Sequence, residues 1–260
     1  METMRTILLR HGVDNNLGLR LGIPKILEIE KKHDVRSVFF VRYDEISSAN
    51  DVELLQNIVR DGWEVGLHLV NTDGRKGTYH RNEERSFIRP EDELQNLKHL
   101  LDVPIYGVTP CGSTIGWSGE TTWRILDALN LEYIEGYGKP IDNLNSFVFL
   151  GHLTMKDYII KFREEKGLRE FNLALDNRLD EYCLSSVLSH PIWFVKPVGP
   201  RRTFLEKMEK WINQVLGLNL LCSPYDRFLG FYRGKVRFMN YHIYIQNHIH
   251  MLENDLDSRA

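Results

Sequence analysis

Two residues three positions apart, His11 and Asp14, stand where an apolar run gives out. The sequence there reads Ile7, Leu8, Leu9, Arg10, His11, Gly12, Val13, Asp14. An imidazole and a carboxylate are the side chains that general acid–base chemistry and metal ligation both draw on. A run such as Ile7 to Leu9 predicts a short buried strand. In sheets flanked by helices, ligands bind outside the carboxyl ends of the strands, so a His and an Asp at that end face a cleft. Two more histidines occupy the same kind of position: His68, near the end of the apolar run Trp63 to Leu69, and His190, near the end of Ser185 to Pro191. A short run from Pro104 to Thr109 leads into Pro110, Cys111 and Gly112, another tight turn at a strand's carboxyl end.

The intervening chain must hold these ends together, and its pattern alternates strand and helix. Apolar spacing with an early proline predicts a helix over Pro24–His33, extended by a turn before the proline. Ser37 to Arg42 reads as a buried strand. Asn50 or Asp51 would cap a helix running through Val59, which Gly62 ends before the strand Trp63–Leu69. The polar stretch 71–89 reads as a long loop of the kind that rims a site. Pro90 and Glu91 open a helix with Leu94, Leu97, Leu100 and Leu101 on one face. A helix over 118–129 and a strand from Glu132 follow. The region 137–180 predicts a short strand or two and little regular helix. Residues 201–216 form an amphipathic helix. Strand–helix–strand units of this kind make parallel sheets.

Composition narrows the function classes. The 260 residues are 42% hydrophobic and 27% charged with a formal net charge of -3, the balance of a globular protein that builds its own core. Lys and Arg gather in no long stripe, which argues against nucleic acid as partner. The three cysteines are widely spaced with no CxxC pair, so neither a disulfide framework nor a zinc knuckle is expected. There is no apolar run of membrane-spanning length and no leader-like start, and the simple expectation is a cytoplasmic protein. Residues 1–219 read as one domain and 220–260 as an extension. That extension is rich in aromatics with interleaved Arg and Lys. It reads either as an element for a membrane surface or a partner, or, more economically, as an extra helix or hairpin packed on the domain. His242, His248 and His250 fall in it and read as packing or surface residues rather than a metal cluster.

In this order the motifs resemble those of the polysaccharide deacetylase superfamily, the NodB-homology or carbohydrate esterase family 4 fold. The closer likeness is to the branch whose first motif is RHDVD. Arg10 to Asp14 reads RHGVD; Leu27 to Arg42 resembles the passage that follows; Asp61 to Leu69 resembles the GHEVGLH strand; Thr109 to Thr114 resembles the third motif; Val187 to Pro191 resembles the late L-x-H-P strand. The resemblance runs from about Ile7 to Leu216. It implies an α/β fold, a distorted (β/α)7 barrel of the NodB-like type, binding one divalent metal, usually zinc. It further implies hydrolysis that removes an acyl group from an amino sugar or a related C–N substrate.

Carried over residue by residue, the resemblance makes Asp14 and His68 metal ligands and His190 the general acid. Three positions depart from the pattern. Gly12 stands for the aspartate that acts as base, Thr72 for the second histidine of an HxxxH pair, and Val108 or Thr109 for an arginine. His11 could replace the missing base as a catalytic residue, and Asp73 is another carboxylate within reach of that role. Thr109, Cys111, Trp117 and Trp193 are the substrate-binding candidates, the tryptophans by stacking on a sugar ring, as Tyr137 could. Cys111 has a second reading as a nucleophile at a turn. Two rival readings remain beside the metal hydrolase: a catalytically degenerate barrel that binds a glycan or a partner, and an amide hydrolase that works without metal.

Overall fold

A computed structural model describes residues 5–69, 89–110, 120–136, 140–162, 164–197, 208 and 220–257. In chain order the elements are β1 (Thr6–Val13), α1 (Ile23–His33), β2 (Val38–Val41), α2 (Ala49–Arg60), β3 (Glu64–His68), α3 (Pro90–Leu101), β4 (Gly107–Thr109), α4 (Glu120–Asp127), β5 (Tyr133–Gly136), β6 (Phe147–Leu150), β7 (Leu153–Thr154), α5 (Met155–Phe162), α6 (Glu164–Tyr182), β8 (Leu184–Ser189), α7 (Cys222–Tyr232), β9 (Arg237–Met239) and α8 (Tyr241–Asp257). The chain divides into two compact units. The first contains residues 1–37 and 152–239, the second 38–151 and 240–260. Among the described residues no helix is long and apolar enough to cross a membrane.

In the first unit β1 is the central strand. It pairs in parallel with β8 on one side and β9 on the other, and β8 carries β7. All eight residues of β1 are buried, as expected of a strand covered on both faces. The turn of helix foreseen ahead of Pro24 is present as a π-helical turn over Gly18–Gly22. Helix α6 packs Phe171, Leu175 and Leu179 inward, and Phe171 meets Phe228 of α7 edge to face at 5.6 Å.

The second unit is a five-stranded parallel run in which β2, β3, β4, β5 and β6 pair in sequence. Its aromatic core joins Phe40, Tyr133, Phe149 and Tyr241, with Tyr133 and Tyr241 stacked at 5.0 Å. At the amino end of β3 the Glu64 carboxyl is buried. It accepts the Tyr133 hydroxyl and, at 3.2 Å, the backbone N–H of His242 in the first turn of α8. Burial pushes the Glu64 carboxyl up to about 7, against the smaller downward pull of those hydrogen bonds. The native state therefore holds this proton more tightly than the unfolded chain. Stability is greatest below the unfolded value near 4.5, falls as pH rises toward 7 and then levels off, a loss of about 3 kcal/mol from this group. Glu64→Gln should flatten that stretch of a plot of unfolding free energy against pH; an unchanged slope would refute the assignment.

Two sequence expectations are revised. Ser48, not Asn50 or Asp51, caps α2, accepting the N–H of Asp51, while the Asp51 carboxylate reaches back to the N–H of Ser47. Residues 137–180, expected to hold little helix, contain α5 and most of the long α6. In the extension, β9 adds a strand to β1, residues 240–260 belong to the second unit, and Tyr225, Phe228, Tyr232 and Tyr241 are core residues. The helix expected over 201–216 and the loop 71–89 lie outside the described residues, save Met208 and Arg89.

Candidate active site

The first unit brings its chemistry to the carboxyl ends of β1 and β8. Their register sets His11 opposite Ser189, so one residue further along Gly12 falls beside His190. Past Asp14 the chain turns at once. Asn15 caps that turn, its side-chain oxygen accepting the N–H of Gly18 at 2.8 Å and its carbonyl that of Leu19 at 3.1 Å. Past His190 it enters a 3-10 turn, Pro191–Phe194. The two turns lie against each other where glycines leave no side chain between them. A Cβ on Gly22 would run into the backbone carbonyl of Pro191, and one on Gly18 would come 3.0 Å from the N of Ile192. The 3-10 turn is further tied by Lys25 to the carbonyl of Phe194 and by the N–H of Leu221 to the carbonyl of Trp193.

Between these anchored turns His190 Nδ1 stands 2.6 Å from an Asp14 carboxylate oxygen, with the imidazole 19% and the carboxylate 36% exposed. The contact is an ion pair in distance but is not aligned as a hydrogen bond, and Nδ1 is sealed from solvent. No described side chain bonds to Nε2. Gly12 makes the contact sterically possible. A Cβ at that position would lie 2.9 Å from His190 Cε1 and 3.1 Å from Nδ1, inside normal contact. The imidazole occupies the space where a side chain at position 12 would begin. On its other flank, the Trp193 indole tilts against it with ring centres 4.3 Å apart, and Lys156 Nζ lies 4.5 Å from the centre of the same indole. Trp193 is thus engaged by its own neighbours, and stacking a sugar on it would have to share that ring.

His11 goes elsewhere. It is 1% exposed, with Nε2 donating to the Glu30 carboxylate at 2.9 Å and Nδ1 2.6 Å from the Ser189 hydroxyl. Glu30 also accepts the Tyr225 hydroxyl at 2.6 Å and the Ser37 hydroxyl at 2.8 Å. Burial and the adjoining carboxylate hold the Tyr225 hydroxyl well above its ordinary pKa, so it keeps the proton it donates to Glu30. Both ring nitrogens of His11 are committed inside the core, which corrects its assignment as a catalytic residue: it braces β1. Glu30 was not foreseen, because a glutamate among charged neighbours on a helix gives no sign of pointing inward.

The second unit places His68 and Thr109 opposite each other at the ends of β3 and β4. His68 is buried. The Thr109 hydroxyl donates to Glu135 on β5 at 2.7 Å, and the residue has no exposed surface. Thr109 is therefore a structural donor here and not a group facing substrate, and Glu135 is a buried carboxylate the sequence reading overlooked. Cys111, Trp117, Thr72, Asp73 and Tyr137 lie outside the described residues. His242 stacks on Tyr106 at 3.8 Å and pairs with Glu132 at 2.7 Å, a packing role as expected.

No family model matches the sequence, and neither does any curated protein. Solved structures do resemble the fold. Puue allantoinase aligns with a TM-score of 0.61 at 12% identity, covering 96% of this chain and 92% of its own. The peptidoglycan deacetylase PdaC of Bacillus subtilis, as a D285S mutant, aligns at 0.52 and 13% over 100% and 99%. A carbohydrate esterase family 4 pseudoenzyme of Bacillus anthracis aligns at 0.52 and 16% over 92% and 64%. The chain has the polysaccharide deacetylase fold. The distorted (β/α)7 barrel expected from the sequence is thereby borne out.

The deacetylase fold raises the question of a metal. Among the described residues no three or more His, Cys, Asp or Glu side chains come together to hold an ion. Asp14, an expected ligand, is in contact with His190, and Gly12 offers no donor. A tight divalent site needs three protein ligands with an open position. The described residues alone do not supply them.

Proposed function

We propose that this chain hydrolyses an acyl C–N bond, with Asp14 and His190 as its acid–base pair and no metal in the reaction. The observation that carries the reading is the exchange at position 12. Removing the side chain there clears the volume into which the His190 imidazole settles against the Asp14 carboxylate. A carboxylate 2.6 Å from Nδ1 steadies the imidazolium that forms when Nε2 takes a proton. His190 Nε2 then removes a proton from a water as its oxygen bonds to the acyl carbon. It returns that proton to the nitrogen as the C–N bond breaks, leaving an acid and an amine. General acid–base assistance of this kind contributes about 10²- to 10⁴-fold. The substrate class is an N-acyl amino sugar or a related amide.

Turnover of N-acetylglucosamine oligomers and of a cyclic ureide, followed by acid or amine release, tests the reading before and after exhaustive chelation. The rate should survive chelation unchanged. Loss on chelation with recovery on adding zinc would overturn it in favour of the metal hydrolase. Absence of turnover combined with saturable glycan binding would overturn it in favour of a binding protein.

A further inference from the structure

We infer that Lys156 makes the site selective for substrates carrying an anionic group, a carboxylate or a phosphate, beside the scissile acyl–nitrogen bond. The inference rests on the acid–base pair proposed above and adds the substrate's charge. Sheet register is the first observation. β7 pairs with β8 so that Leu153 faces Val187 and Thr154 faces Leu188; Lys156 and His190 each follow two residues after that last pair, Lys156 in the first turn of α5. The chain just past the carboxyl ends of three neighbouring parallel strands, β1, β8 and β7, thus carries Asp14, His190 and Lys156 at one end of the first unit.

Trp193 is the second observation. Its indole is within 4.3 Å of the imidazole centre and 4.5 Å of the ammonium, which places both groups around one ring and within the span of a small molecule. A cation over an indole is attracted to it and held in place there. The third is the position of the charge. Lys156 is the second residue of α5, at the positive end of the helix, where a cation is disfavoured. No described carboxylate lies within ion-pair distance to offset that cost, and the residue is only half-buried. A lysine held at an unfavourable place by an aromatic ring, with its charge unanswered among the described residues, is poised for an anion from outside. There is also a need for it: the Asp14 carboxylate repels an anionic substrate, and a cation on the ring that flanks His190 offsets that repulsion.

The test is equilibrium binding to the full chain by ligand-observed NMR, using two matched pairs of probes. One pair is N-acetylglucosamine 6-phosphate against N-acetylglucosamine; the other is N-acetylglycine against N-acetylglycinamide. The wild-type chain should prefer at least one anionic member by about tenfold, the effect of one charge-assisted hydrogen bond, and which pair shows it identifies phosphate or carboxylate. Lys156→Gln should abolish the preference, Lys156→Arg should keep most of it, and both should melt at the wild-type temperature. No preference in the wild type, or one that survives Lys156→Gln, overturns the inference. So does a Lys156→Gln variant that binds both members as before yet turns all substrates over more slowly, since that would place the ammonium on the reacting oxygen instead. His190→Gln should retain the preference, and a wild-type chain that reads charge in binding yet turns nothing over would sink the proposed hydrolysis and leave this inference standing.

Discussion

Replacing Glu30 with alanine should destabilise the chain by about 3–5 kcal/mol, the range for removing one member of a buried, charged hydrogen-bond network. The size follows from what is left behind. Glu30 is fully buried and takes hydrogen bonds from His11, Tyr225 and Ser37, three donors brought from β1, α7 and the segment before β2. None of the three can turn to water once the carboxylate is gone, because His11 and Tyr225 are buried to within about one per cent of their surface. Burial and the carboxylate both keep the Tyr225 proton in place, so that O–H is left without its acceptor when the carboxylate is removed. Glu30→Gln keeps one accepting oxygen and should cost less than half as much. Chemical denaturation measures both; a loss below about 1 kcal/mol for the alanine variant would show that the network is not what braces β1. Because His11 and Gly12 are consecutive on that strand, loosening the brace also loosens the groove into which His190 fits.

How far the sequence reveals this arrangement depends on the range of the interaction. Strands ending in His and Asp are local patterns, and β1, β3 and β8 lie where the apolar runs put them. Pro90 and Gly62 likewise mark a helix start and a helix end through their own backbone constraints. The misses come from partners distant in sequence. Glu30 meets Tyr225 across 195 residues, and nothing near either one announces the other. Thr109 is read as facing substrate until the glutamate 26 residues further on takes its hydroxyl. In α6 the inward positions Leu168, Phe171, Leu175 and Leu179 do keep a helical period, yet Leu173 breaks the pattern by standing 57% exposed. Turn residues scattered ahead of it then tip the reading toward loop. Lys156 carries no signal at all in sequence; its meaning comes from the Trp193 indole that it shares with His190.

Position 12 separates the two chemistries most sharply, and its variants should show the largest effect on turnover. Gly12→Ala adds only a methyl group, yet that carbon would lie 2.9 Å from His190 Cε1 and 3.1 Å from Nδ1. The ring, hemmed by Trp193 on its other side, must swing away from Asp14 to admit it. If the pair does the chemistry, Gly12→Ala should lower kcat by about 10²-fold or more, close to the loss from His190→Gln, because general acid–base assistance of that order depends on the ring being in place. Gly12→Asp distinguishes the steric effect from the chemical one. It introduces the carboxylate that the deacetylase resemblance calls for along with the same crowding. Under the metal-free reading both variants fall together and zinc rescues neither. Under the metal reading the aspartate variant alone gains activity when zinc is added, since a new base and ligand then matter more than a displaced imidazole. Steady-state rates of the three variants, each with and without zinc, decide between those outcomes, and a rise in Gly12→Asp with zinc would end the case for Asp14 and His190 acting alone.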